Sequence, residues 1–266
     1  MLQRGPVGTM FFRGLRLFTT LHPYMKSYLL LAVCALAFST FAQEPNSGAP
    51  TIPGWGTPVN PGGDCKFDGD GKKLVIVVPG SDKAHDLGAE TSNMTAPRVL
   101  QPVKGDFVLS VKIDGEFAPG EDSTQRGRTG YNGAGLVVFA DENNYVRLER
   151  ATLHSGEAAH PYTNFEIRVD GQNERFGTTG DLPTQSGKPT WLRLERKGQQ
   201  MLGAMSHDGQ QWAYGTPKQL TSEAWKNAEV QAGVAAISTS KQPFTPVYTE
   251  FSVKSESTPT TDGTKP

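Results

Sequence analysis

Three short stretches of this sequence carry the same chemical pattern. Arg147 and Glu149 stand two residues apart, interleaved with Val146 and Leu148. Glu166 and Arg168 repeat the arrangement against Phe165, Ile167 and Val169, and Arg193 and Glu195 repeat it against Leu192 and Leu194. Residues two apart share one face of a strand, so each stretch predicts a strand with an apolar face and an ionic face. Tyr145 and Trp191 have the parity of the charges. Gathered on one curved sheet, Tyr145, Arg147, Glu149, Glu166, Arg168, Trp191, Arg193 and Glu195 would make a concave ligand-binding face, with small Ala140 and Ala204 leaving room. Such a face suits a carbohydrate: aromatic rings stack on sugar rings, and fixed charges hold hydroxyls. The plainer alternative is a lattice of cross-strand ion pairs on a solvated sheet, each pair contributing little.

Catalysis asks for more. Glycoside hydrolysis uses two carboxylates about 5 to 10 Å apart, one of them with a raised pKa. Each of Glu149, Glu166 and Glu195 has an arginine on its own strand face, which predicts an ionised group. No catalytic residue is therefore assigned, and the domain is expected to bind rather than to react. A glycoside hydrolase or polysaccharide lyase is the second reading, and an envelope module that meets another protein is the third. His85, Asp86, His207 and Asp208 fall in expected loops, and His154 and His160 flank a loop at Gly156. All four histidines are expected to be solvated, and no metal ligand is assigned. Phe67 to Gly71 has two Asp at calcium-loop spacing but lacks the later bidentate Glu, so a hairpin turn is expected. Asp141 to Asn144 is first a turn too, although its oxygens could hold calcium at a sheet edge. No other cofactor is implied.

The elements that must position these residues are strands. Lys73 to Val78, Phe107 to Ile113, Gly135 to Ala140, Tyr145 to Ala151, Asn164 to Val169, Trp191 to Arg196, Gln200 to Ser206, Val230 to Ile237 and Val247 to Val253 are the clearest runs. Leu220 to Asn227 offers one helical turn, with Thr221 or Ser222 as its cap. Many short antiparallel strands without βαβ spacing predict an all-β sandwich or jelly roll. Thr190 to Trp212 predicts a three-stranded meander, with turns at Lys197-Gly198 and Asp208-Gly209. Two-residue loops at both turns would set Leu194 opposite Met201 and Met205 opposite Trp212. Leu192, Leu194, Met201, Met205 and Trp212 would then share the buried face.

The ends read differently. Lys26 precedes an apolar run, Ser27 to Ala42, that closes on small residues, so residues 1–42 predict an export signal. Met25-Lys26 would begin a signal of ordinary size, which makes Met25 a candidate start. Residues 43–54 predict a linker, 55–254 the domain and 255–266 a disordered tail. Removing 1–42 takes four basic residues and no acid, leaving 22 basic against 27 acidic and a net charge of −5. A mildly acidic chain does not suit nucleic acid, and no span of membrane remains after processing. Cys65 is then the only cysteine, so no internal disulfide can form, and it is expected as a small buried apolar group. A secreted or periplasmic monomer is expected.

Several motifs, taken in order, add a resemblance. They are Trp55-Gly56, Ala96-Pro97-Arg98-Val99-Leu100, Gly105-Asp106-Phe107, Gly133-Ala134-Gly135-Leu136, Asn144-Tyr145-Val146-Arg147-Leu148-Glu149, Trp191-Leu192-Arg193-Leu194 and Ser206-His207-Asp208-Gly209, closing on Trp212. Over roughly Trp55 to Val253 the chain resembles a bacterial family of unknown function, named after a "regulation of enolase" protein, in the concanavalin A-like lectin/glucanase superfamily. That resemblance implies a jelly roll of two curved antiparallel sheets. It brings no catalytic residues, and the paired acids of the superfamily's glucanases, Glu-x-Asp-x-Glu on one strand, have no counterpart here.

Overall fold

The computed structural model describes residues 50–176, 182, 184–227 and 229–256. The expected signal segment lies outside these residues, as does the tail after Glu256. The strands are β1 (Thr57–Val59), β2 (Lys66–Gly69), β3 (Lys73–Val77), β4 (Leu87–Gly88), β5 (Asn93–Met94), β6 (Arg98–Lys104), β7 (Asp106–Asp114), β8 (Tyr131–Phe139) and β9 (Tyr145–Ser155). They continue as β10 (Ala158–Val169), β11 (Gln172–Phe176), β12 (Thr190–Lys197), β13 (Gln200–Ser206), β14 (Trp212–Tyr214), β15 (Lys218–Gln219), β16 (Glu229–Ser238) and β17 (Val247–Glu256). All nine strands expected from the sequence are among them.

The strands build a jelly-roll sandwich. The first sheet has the order β1-β6-β16-β8-β9-β10-β11, and the second β14-β13-β12-β7-β17-β3-β2, with β15 beside β13. Alternation explains the packing. Leu136, Val138, Val146, Leu148, Phe165 and Ile167 point inward from the first sheet. Leu74, Ile76, Leu109, Val111, Leu192 and Leu194 meet them from the second. Burial of these rows stabilises the sandwich at roughly 25 cal/mol per Å² of apolar surface.

Local chemistry closes the turns. Asp70 Oδ1 accepts from the Lys72 and Lys73 N–H groups at 2.7 and 2.9 Å, making the expected hairpin turn between β2 and β3. Ser222 caps a short 3₁₀ turn, Glu223–Lys226, and Trp225 in it is buried. The chain is already ordered at Ile52, which pairs with Gly56 and packs on the core.

The meander departs from expectation twice. Lys197 pairs with Gln200, so the first loop is Gly198-Gln199 and Leu194 lies opposite Gly203, not Met201. A shift of two keeps the parity, and Leu192, Leu194, Met201 and Met205 do face the core. The second loop has five residues, 207–211, and Ser206 pairs with Trp212. Ser206 Oγ accepts from the Asp208 and Gly209 N–H groups, and Asp208 Oδ1 accepts from those of Gln210 and Gln211. These side-chain bonds hold a longer loop than Asp-Gly alone predicts. Its odd length flips the next strand. Trp212 faces outward, half-buried, with the Arg193 guanidinium 5.7 Å from its ring centroid, and Ala213 packs on the core in its place.

The segment from 79 to 97 crosses the outer face of the first sheet. His85 bridges to Ser238 there, and β4 pairs with β5. Leu87 and Ala96 cover Val137, Phe139, Tyr145, Ala235 and Ile237, making a second, smaller apolar cluster. Among the described residues no helix is long and apolar enough to cross a membrane.

Candidate functional site

The outer face of β8, β9 and β10 carries two of the three arginine–glutamate pairs. In the register between β9 and β10, Arg147 lies opposite Glu166, Tyr145 opposite Arg168 and Glu149 opposite Asn164. Arg147 Nε donates to Glu166 Oε2 at 2.8 Å, and its Nη1 donates to the Leu87 carbonyl at 2.9 Å. Arg168 grips Glu90 through Nε and Nη2 at 2.7 and 3.0 Å, and its Nη1 donates to Glu166 Oε2 and Asn173 Oδ1 at 2.9 Å each. Arg147, Glu149, Glu166 and Arg168 are all buried. This is a buried ionic network, in which removing one partner costs far more than a surface pair would.

Glu149 is the exception within it. Tyr131 Oη donates to Glu149 Oε2, and Asn164 Nδ2 donates to the same oxygen at 3.1 Å. Its other oxygen has no hydrogen bond; Arg147 Nε is 3.6 Å away. Gly133 makes the space, since a Cβ there would lie 2.6 Å from Tyr131 Oη and 3.0 Å from Glu149 Oε2. Burial pushes the Glu149 carboxyl above its ordinary range; Arg147 opposes this and Glu166 adds to it. Arg147 therefore does not hold the Glu149 carboxyl down as expected: burial outweighs it, and the Arg147 hydrogen bonds go to Glu166 and Leu87. Burial alone would lower Arg147, but Glu149 and Glu166 outweigh it and hold the guanidinium firmly charged. Burial, with Glu149 beside it, drives the Tyr131 phenol well up, so Tyr131 remains a donor. Burial works against ionisation of Glu90 too, but the Arg168 hydrogen bond prevails and keeps its carboxyl below the ordinary value.

The eight residues singled out in the sequence do not converge. Tyr145, Arg147, Glu149, Glu166 and Arg168 share the outer face of the first sheet. Trp191, Arg193 and Glu195 lie on β12 with Leu192 and Leu194 pointing inward, so they occupy the outer face of the second sheet, across the core. There Arg193 Nε pairs with Glu195 at 2.7 Å. Trp191 stacks beneath Lys112 at 4.6 Å and donates to Glu250 Oε2 at 2.9 Å. Tyr145 is no exposed platform either. Leu87 covers it, and its hydroxyl accepts from the Ala89 N–H at 3.2 Å. His85, expected in solvent, is buried, with Nε2 3.0 Å from Asp64 Oδ1. Asp141 is engaged within its own turn, accepting from the Asn143 N–H and from Asn144 Nδ2.

Above the ionic network lies a cleft of about 350 Å³. Arg147, Glu166 and Arg168 contribute to its floor, Asp86 and Glu90 enter from the crossing segment, and Tyr131, Tyr162, Asn164 and Arg128 are among the other residues that line it. The Tyr131 and Tyr162 rings stand 6.5 Å apart, half-buried and tilted by 59°. Asn164 is buried and its Oδ1 has no hydrogen-bond partner. Glu149 does not line the cleft; it sits behind Tyr131 and Asn164. Sequence reasoning missed both of these residues. Asn164 has the parity of Glu166 and Arg168, and that signal could have found it. Tyr131 precedes the apolar run that marked β8, and nothing local flagged it.

Sheet order, core and outer-face cleft make this one of the jelly-roll β-sandwiches. Within that class residues 66–256 match the family described as "Protein of unknown function (DUF1349)", and the chain belongs to that family. The family's description makes no mention of enolase. A functionally unknown protein from Saccharomyces cerevisiae has a similar structure, with 16% identity, 78% of this chain and 100% of that one covered, and a TM-score of 0.58. The GH43 BlXynB protein from Bacillus licheniformis is similar over 74% of this chain and 36% of its own length, at 14% identity and a TM-score of 0.52. This chain thus spans about a third of that protein. None of the curated proteins matches the sequence.

Proposed function

We propose that the protein is an exported, non-catalytic domain that binds a carbohydrate or glycan-bearing partner in the cleft of the first sheet. One observation carries the reading: Asn164, whose buried amide oxygen has no hydrogen-bond partner, lines a cleft flanked by the Tyr131 and Tyr162 rings. An orphaned acceptor costs about 1–3 kcal/mol, and a ligand hydroxyl would satisfy it. Tyrosine rings give the stacking surface that a sugar face needs. Arg147 and Arg168 on the floor are already bound to carboxylates, which suits a neutral glycan there, and the exposed Arg128 lines the cleft as well. The apolar run from Ser27 to Ala42 supports placing the domain outside the cytoplasm.

The hydrolase reading draws on Glu149, whose raised carboxyl has the character of a general acid. Position argues against it. Glu149 lies behind the floor, and of the acids that line the cleft, Glu90 and Glu166 are bonded to arginine. Titration calorimetry of the chain against a polysaccharide panel, with a reducing-sugar assay alongside, separates the readings. Saturable binding without sugar release is expected, with affinity reduced about fivefold or more in Tyr162→Ala. Sugar release, or no binding across a broad panel, would overturn the proposal.

A further inference from the structure

We propose that Asp64, Cys65 and His85 form a binding site for a borderline-soft divalent metal of the zinc class, separate from the glycan cleft. The three residues come from two segments, the approach to β2 and the segment that crosses the first sheet. Asp64 Oδ1 lies 3.0 Å from His85 Nε2 and 3.7 Å from Cys65 Sγ. All three donor atoms lie within 4.8 Å of one another. A tetrahedral ion with bonds of about 2.0 Å to nitrogen and oxygen and about 2.3 Å to sulfur spaces its donors by roughly 3.3 to 3.6 Å. The two Asp64 separations bracket that range, and the third, between His85 and Cys65, is at most 4.8 Å, so the donors must draw together to seat an ion.

The donor set defines the class of metal. Calcium and magnesium take oxygen ligands, whereas an imidazole, a thiolate and one carboxylate suit zinc and its neighbours. The donors are held in place. His85 exchanges backbone hydrogen bonds with Ser238, both 2.9 Å, and Asn60 Nδ2 donates to the Cys65 carbonyl at 2.8 Å. His85 and Cys65 are buried while the Asp64 side chain is 24% exposed, and an incoming ion would displace Lys83, whose Nζ lies 3.6 Å from Asp64 Oδ2.

Without an ion, burial pushes the Cys65 thiol up to about 12, with the Asp64 carboxylate adding to the shift. Binding therefore releases the thiol proton as the metal–sulfur bond forms. The site has a structural consequence. His85 adjoins Asp86 and Leu87, and the Leu87 carbonyl takes the Arg147 hydrogen bond. A metal would pin this wall of the cleft to the chain around Cys65.

Cobalt(II), added to the untagged full chain, is the direct probe. One equivalent should bind and give a thiolate-to-cobalt charge-transfer band, which zinc displaces. Cys65→Ala should abolish the band while circular dichroism remains that of a β-sandwich. Asp64→Asn alters the most exposed ligand and should weaken binding by more than the roughly tenfold of an outer-shell change. A folded wild-type chain that takes up neither metal saturably, or a band that survives Cys65→Ala, would overturn the assignment.

Discussion

Glu149 shows how far a single residue's role can be taken from its sequence neighbours. Its strand, its parity and its arginine two residues away were all legible. What the arginine does was not, because Glu166 sits opposite Arg147 in the β9–β10 register and takes the guanidinium. The raised carboxyl has a consequence for stability. A group whose folded pKa exceeds its unfolded value binds its proton more tightly in the folded chain. The linked stability is present below the ordinary value of 4.5 and is lost as pH rises through the raised one. Glu149→Gln is neutral at every pH and lacks that slope. Melting curves from pH 4 upward should show the variant gaining on the wild type as pH increases through this window. A constant difference between them would mean that Glu149 titrates as an ordinary carboxylate.

At the scale of elements, alternation carried most of the information. It marked nine strands and the inward rows of β9, β10, β12 and β13. It failed where a loop's length set the parity. The 206–212 turn needed five residues because Ser206 and Asp208 bind its backbone, and that odd count turned Trp212 outward. Energies should follow the corrected register. Leu194 is fully buried between the sheets, and Leu194→Ala should cost about 2–5 kcal/mol in urea unfolding. Trp212 has an exposed edge and a cation–π contact with Arg193, and Trp212→Ala should cost only about 1 kcal/mol. Equal losses for the two variants would contradict the inward and outward assignments. The segment from 79 to 97 was illegible for another reason. It has almost no period, yet it buries Tyr145 and His85 and supplies Asp86 and Glu90 to the cleft.

For the whole molecule, parity tells which residues face away from the core but not which sheet they face away from. Long-range pairing decides that, since β12 joins β7 and not β9 or β10. A single expected face thus became two, on opposite outer surfaces of the sandwich. The cleft has an unpartnered acceptor, two half-buried rings and a floor held by arginine–carboxylate bonds. On the second sheet Trp191 meets Lys112 and Glu250, and Arg193 forms an ion pair with Glu195 beside Trp212, although its buried Nε makes no hydrogen bond. The two surfaces make different forecasts for ligand binding. Asn164→Ala removes the orphaned acceptor without touching the arginines, and should weaken any glycan found in the panel by about fivefold or more. Its loss of the bond to Glu149 makes a melting curve the necessary companion measurement. Trp191→Ala should leave that affinity within about a factor of two, since surface substitutions far from a site change little. Calorimetry of both variants with one ligand decides the matter. Binding lost in Trp191→Ala and kept in Asn164→Ala would place the site on the second sheet, where the ion pairs would then be ligand contacts rather than a surface lattice.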